Sequence, residues 1–212
     1  ARSAYAKGDL ADLVYADDTL LVGVADKHLS EFLAAVQSVG THYGMELHGE
    51  KFQLLSTDPA ARIVMPDGAV VPVSTKIVYL GATLSADGFN SPEVNRRIGL
   101  AKASFLSVAK VWSHSSLTWR RKLYVFSALV ASKLIYSLSS MCLTKADQRR
   151  LDGFQNRCIR QIIGVKPAFI SSVSNADVLA RAGHRAASAL VYKFRLQLFG
   201  KVLGSPVSNP MR

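Results

Sequence analysis

Asp17 and Asp18 are adjacent carboxylates with apolar and aromatic runs on both sides, Leu13-Val14-Tyr15 before them and Thr19-Leu20-Leu21-Val22 after. Two such runs separated by Ala16-Asp17-Asp18 spell a β-hairpin with its acids at the tip. Strands on either side would fix the pair while its oxygens stay reachable. Hard divalent cations want oxygen ligands, and Mg²⁺ bridging substrate phosphates commonly takes only one or two protein carboxylates. Two metals about 3.5–4 Å apart can activate an attacking oxygen and stabilise a leaving one in phosphoryl transfer. Asp is also common in ordinary turns, whose geometry it tolerates, so the pair alone leaves both readings open.

The second chemistry is phosphate contact. Residues 1–90 carry 6 Lys/Arg against 11 Asp/Glu, whereas residues 91–212 carry 20 against 4, a balance of +16. A basic half of that strength has the footprint of a polyanion binder. The plainer alternative is a basic surface that serves solubility. On a helical wheel Arg149, Arg150, Arg157 and Arg160 fall on one side of a single helix, with Leu151, Phe154, Cys158 and Ile162 on the other. Arg holds phosphates bidentately, so these four are candidate nucleic-acid contacts, as are Arg120 and Arg121 on the helix before.

The elements that must position these groups divide into two parts. In the first, Asp26 is the expected N-cap of a helix over 27–43, whose Leu29, Phe32, Leu33, Val36, Val39 and Tyr43 recur at helical spacing before Gly44. Strands are expected near 45–48, 52–56, 62–65, 69–73 and 77–80, with Pro66-Asp67-Gly68 as a turn. The second part reads as helical. Ser91-Pro92-Glu93 opens a helix of about six turns down to Trp112. Another is expected from Leu117 to Ser140, a third from a Thr144/Asp147 capping box, and a fourth region over 174–203 broken at Gly183. The fold class is therefore α+β: an antiparallel sheet with a packed helix, then an all-α bundle. Cys158 is expected in the core, His184 in a loop, and Tyr124, Phe126, Tyr192 and Phe194 in packing positions.

With 49% hydrophobic and 19% charged residues over 212 positions, the chain is expected to be globular and soluble. No apolar run reaches the length of a membrane span, so no membrane partner is expected. Two cysteines, no initiator Met and no apolar leader at Ala1-Arg2-Ser3 point to an intracellular protein, nuclear or cytoplasmic and not secreted.

Tyr15-Ala16-Asp17-Asp18 with its flanks closely resembles the metal-binding hairpin of reverse transcriptases, most of all those of non-LTR retrotransposons. The resemblance implies Asp17 as principal ligand of Mg²⁺ (or Mn²⁺) and Asp18 as a supporting carboxylate. It continues in order along the chain. Gly44 to Lys51 is similar to the segment that ends in a lysine near the incoming nucleotide, although a surface lysine on a strand is the plainer reading of Lys51. Tyr79-Leu80-Gly81 resembles the primer grip. Trp112, Leu134-Ile135-Tyr136 and Gln155-Asn156-Arg157 look like the thumb, and Phe194 to Gly200 resembles its end.

The implied organisation is a partial palm over 1–90 and a basic, thumb-like helical domain over 91–212. In a complete enzyme of this kind the reaction is RNA-templated DNA synthesis, with an RNA template, a DNA primer, their RNA–DNA heteroduplex and a dNTP as partners. Two departures stand out. His48-Gly49-Glu50 and Phe52 surround Lys51 where the family carries an Asn and a Thr. The family's first catalytic carboxylate lies well upstream of its hairpin, and Asp12 is placed on the opposite strand face from Tyr15 and Asp17. The expectation is a chain that holds duplex and does not polymerise alone. Its alternatives are a non-catalytic nucleic-acid-binding module using the basic helices, and a relic whose exposed palm edge promotes aggregation.

Overall fold

A computed structural model describes residues 7–206 and divides the chain into two compact units, Ala1–Phe89 and Asn90–Arg212. The chain is α+β; among the described residues all the strands lie in the first unit and the helices mostly in the second. No helix among the described residues is long and apolar enough to cross a membrane.

In the first unit, β1 (Leu10–Tyr15) and β2 (Asp18–Gly23) form an antiparallel hairpin. Helix α1 (Asp26–Thr41) follows. It starts one residue before the sequence suggests: Ala25 is its N-cap, and the Asp26 carboxylate accepts a hydrogen bond from the Arg62 N–H at 2.8 Å instead of capping. The sheet itself differs from expectation. Among the described residues three two-stranded ladders form in place of one continuous sheet. β3 (Leu54–Leu55) and β4 (Val73–Ser74) pair in parallel, while β5 (Lys76–Tyr79) and β6 (Ala82–Ser85) pair antiparallel. Residues 45–48 are irregular, and the 62–65 and 69–73 segments meet only at a Val64–Val70 bridge, closed by the Pro66-Asp67-Gly68 turn. The reason is a small core. Leu33 of α1 packs with Ile63, Met65 and Val71, flanked by Leu21, Leu29, Phe52 and Leu54. Too little apolar surface converges there to hold strands together in one sheet.

The second unit is better filled. α2 (Ser91–Ser107) breaks at Val108, and α3 (Ala109–Ser113) sets off anew. A straight helix would hold Phe105 and Trp112 about 10.5 Å apart along its axis. Instead their rings stack at 4.9 Å, and the Trp112 indole N–H donates to the Phe105 carbonyl at 2.7 Å. α4 (Trp119–Phe126), capped by Thr118, runs through a π-helical stretch at Ser127–Ala131 into α5 (Ser132–Ile135). That segment stops at Tyr136, short of the expected Ser140, because Ser137 turns left-handed (φ 64°). The turned Ser137 hydroxyl donates to Glu93 at 3.0 Å. Glu93 is fully buried, paired with Arg97 and, at 3.5 Å, with Arg96.

The long helix α6 (Lys145–Ile163) begins at the Thr144/Asp147 capping box and ends at Gly164 (φ 74°). The short α7 (Ala168–Ser171), α8 (Asn175–Ala182) and α9 (Ala187–Leu203) complete the bundle. α8 carries its own capping box, Ser174 with Asp177, and stops at Gly183 (φ 64°). The core is built from Phe105, Trp112, Phe126, Leu134, Leu151, Phe154, Ile159 and Val178. Cys158 lies within it, and burial pushes its thiol up to about 12.

Candidate functional site

The register of the first hairpin pairs Tyr15 with Asp18, leaving Ala16 and Asp17 as a two-residue loop. Ala16 has φ +52° whereas Asp17 does not enter the left-handed region. A positive φ at the first loop residue alone is the φ pattern of a type II′ turn, which suits hairpin twist and is usually given to Gly. Alanine there carries about 1–2 kcal/mol of backbone strain. Cross-strand partners share a face, so Asp18 stands with Tyr15, Leu13 and Leu20, opposite Leu10, Asp12 and Leu21. Leu10 is buried and Leu21 packs on the core. One face of the hairpin is thus anchored, and the tip with both carboxylates is exposed.

The Tyr79-Leu80-Gly81 segment forms the second hairpin, with Tyr79 paired to Ala82 and Leu80-Gly81 as its loop. Both loop residues have positive φ, +46° and +72°, the pattern of a type I′ turn. The Tyr79 hydroxyl donates to the Leu13 carbonyl at 3.2 Å. The two hairpins that carry the acidic pair and the Tyr-Leu-Gly turn are therefore side by side. Each places a non-glycine residue in the left-handed region at its tip. Lys51 closes a 3-10 turn (Gly49–Lys51) and is exposed, off any strand. Its side chain has no hydrogen bond or ion pair among the described residues, so the structure does not tie it to either hairpin.

Two adjacent, exposed carboxylates fit Mg²⁺ or Mn²⁺ whose other ligands are phosphate oxygens and water. They do not make a protein-only centre: among the described residues no group of three or more His, Cys, Asp or Glu could hold a metal ion.

The basic residues of the second unit separate into distinct environments. Arg149 and Arg157 are exposed on α6. Arg150 is half-exposed and reaches Asp147 at 3.6 Å. Arg160 is not on that face. It is buried, its guanidinium donating to Asn175 Oδ1 at 2.9 and 3.1 Å, to the Lys166 carbonyl at 2.8 Å and to the Val173 carbonyl at 2.6 Å. The helical wheel misplaces it because α6 is packed around most of its circumference, with Gln155 and Asn156 buried beside the apolar stripe. Arg120 and Arg121 are exposed at the start of α4, and the Arg120 guanidinium lies 5.4 Å from the Trp119 ring centroid.

Sequence reading misses one feature of this unit. Trp119, Arg120, Tyr124 and Arg181 line a shallow cleft of about 450 Å³. Tyr124 is 78% exposed, so it does not pack as expected, whereas Phe126 on the same helix is fully buried. Exposed aromatics between arginines offer stacking and phosphate contact together. The available signal is the Trp119-Arg120 adjacency, which is silent about exposure.

No family model matches this chain, and no curated protein and no solved structure matches it either.

Proposed function

We propose that this chain is a portion of an RNA-directed DNA polymerase resembling those of non-LTR retrotransposons, with its metal-binding hairpin in the first unit and a duplex-holding helical bundle in the second. The observation that carries the reading is the Tyr79–Leu13 hydrogen bond, which sets the Tyr-Leu-Gly turn against the hairpin of Asp17 and Asp18. Backbone strain at hairpin tips is concentrated at functional sites, where surrounding structure must hold it. Ala16 and Leu80 supply two such tips on neighbouring hairpins.

In this reading Asp17 and Asp18 would hold Mg²⁺ jointly with the phosphates of a nucleotide. The metal would supply charge stabilisation for attack of a primer 3′ hydroxyl on the α-phosphate of a dNTP, whose α–β bond breaks to release pyrophosphate. The Leu80-Gly81 turn positions the primer strand beside the acids. Arg120, Arg121, Arg149 and Arg157 grip backbone phosphates, and Arg150 does so in competition with Asp147. Arg160 stays out of that set and serves the fold. An RNA–DNA hybrid is near A-form, so shape and sugar–phosphate contacts outweigh base reading.

The test is binding of the purified chain to a primer–template hybrid across a salt series, with and without Mg²⁺ and dNTP. If about six phosphates are touched, log K falls against log salt with a slope near −5. Mg²⁺-dependent capture of dNTP should vanish in the Asp17→Asn/Asp18→Asn variant while hybrid binding persists. A flat salt response overturns the duplex-holding half. Metal and dNTP dependence that survives the double substitution overturns the catalytic half and leaves a nucleic-acid-binding module.

A further inference from the structure

We infer that a cleft between α6 and α7 takes one unstacked nucleobase from a single strand. The inference rests on the nucleic-acid half of the proposed function and not on the carboxylate pair.

The cleft holds about 480 Å³ and is lined by Gly153, Asn156 and Arg157 of α6, by Val165 and Pro167, and by Phe169 of α7. Three independent features point to a flat, polar-edged ligand. Asn156 is 6% exposed, yet its buried Oδ1 has no hydrogen-bond partner. A buried acceptor left unpaired is costly, and a turn of the Asn156 side chain toward the cleft it lines would give it a base amino group as donor. Gly153 sits in the middle of the continuous helix α6, although a Cβ built there would meet nothing within 4 Å. Packing within the protein therefore does not require glycine, and a bare backbone lets a ligand approach closely. Phe169 is 88% exposed, and a lone aromatic face at a basic cleft is a stacking platform.

The cleft is also built to stay in shape. The Arg160 guanidinium holds the Lys166 and Val173 carbonyls, which bracket α7 on both sides. The residue that the sequence assigns to phosphate thus acts as a positioning residue for the loop that presents Phe169. Exposed Arg157 at the rim is left to take the phosphate of the captured nucleotide. The amide edge suits a base that offers an amino donor beside a ring-nitrogen acceptor, the pattern that adenine and cytosine share.

The experiment compares binding of fluorescently labelled oligo(dA) and an abasic strand of equal length to the full chain, in EDTA so that no metal contributes. The wild type should prefer oligo(dA) by about tenfold, the scale of one stacked base. Gly153→Leu fills the cleft, and Phe169→Ala removes the platform. Neither substitution disturbs the core, since the first occupies open space and the second removes an exposed ring. Both should erase the preference and leave affinity for the abasic strand unchanged. Equal binding of the two strands by the wild type overturns the inference and leaves the duplex-holding proposal standing. A preference that survives both variants places base capture elsewhere and overturns it as well. No binding of either strand overturns both this inference and the phosphate-gripping proposal.

Discussion

Alanine at position 16 is held at φ +52° in a turn that favours glycine, so the hairpin tip stores energy that a single substitution can release. Ala16→Gly should raise stability of the first unit by about 0.5–1 kcal/mol, the αL penalty of alanine less the extra chain entropy of glycine. The shift in urea midpoint measures it, and a lowered midpoint would show that the strain is not there. A second residue-scale contrast lies on α6. Arg160→Ala leaves Asn175 Oδ1 and two backbone carbonyls without their donor and should cost about 2–4 kcal/mol, whereas Arg157→Ala should stay within about 0.5 kcal/mol. The order should reverse for oligonucleotide affinity, where only Arg157 is exposed. Equal stability losses would remove the distinction. Both arginines look alike on a helical wheel, and only the folded environment separates the structural one from the surface one.

At the scale of elements, what was legible in the sequence was what local chemistry dictates. The Thr144/Asp147 capping box forms with both of its reciprocal bonds, the Thr144 hydroxyl accepting from the Asp147 N–H at 3.1 Å. Thr144→Ala should therefore cost the second unit about 1 kcal/mol, read as a lowered thermal midpoint. The acidic hairpin, the Pro66-Asp67-Gly68 turn and the stop at Gly183 are legible for the same reason: each is set by a few adjacent residues. The breaks at Val108 and Ser137 are not, because long-range partners impose them. Trp112 reaches back to Phe105, and Ser137 reaches the buried Glu93. Strand β6 is not legible because Leu80 is a poor type I′ residue by propensity, so the hairpin signal after Tyr79 is weak. The tie between the two hairpins is a hydroxyl-to-carbonyl bond between positions 79 and 13, which no periodicity announces.

At the scale of the whole chain, the two units differ in how much they bury. The first leaves Leu13, Tyr15, Val22, Val39 and Tyr43 exposed around small two-stranded ladders. Exposed apolar strand surface of this kind recruits other chains. Sedimentation should show monomer falling as concentration rises, and Leu13→Lys should restore it; a concentration-independent monomer would overturn this. The second unit carries a pH response at His184, which is half-buried against Phe126 at 6.0 Å, with the Ser127 hydroxyl 3.5 Å from its Nε2. Burial lowers its pKa below the ordinary 6.5, so the unfolded chain binds the proton more readily than the folded one. The stability it contributes is complete above about pH 6.5 and is lost as pH falls from there through the folded value. Urea midpoints measured between about pH 7 and about pH 5 should decline, and His184→Gln should flatten that decline.

Five of the ties that fasten the second unit share a direction. Trp112, Lys122, Gln155, Arg160 and Arg195 donate from their side chains to the main-chain carbonyls of Phe105, Trp112, Arg185, Lys166 and Met141. A carbonyl is common to all amino acids, so one end of every tie survives whatever side chain replaces the residue that bears it. At these five ties, intolerance to change then falls on the donors. A saturation library of the unit should show five narrow positions at the donors, while Lys166 and Arg185, which offer only a carbonyl to these ties and are exposed, accept nearly any replacement. The bundle can keep one architecture while much of its sequence drifts.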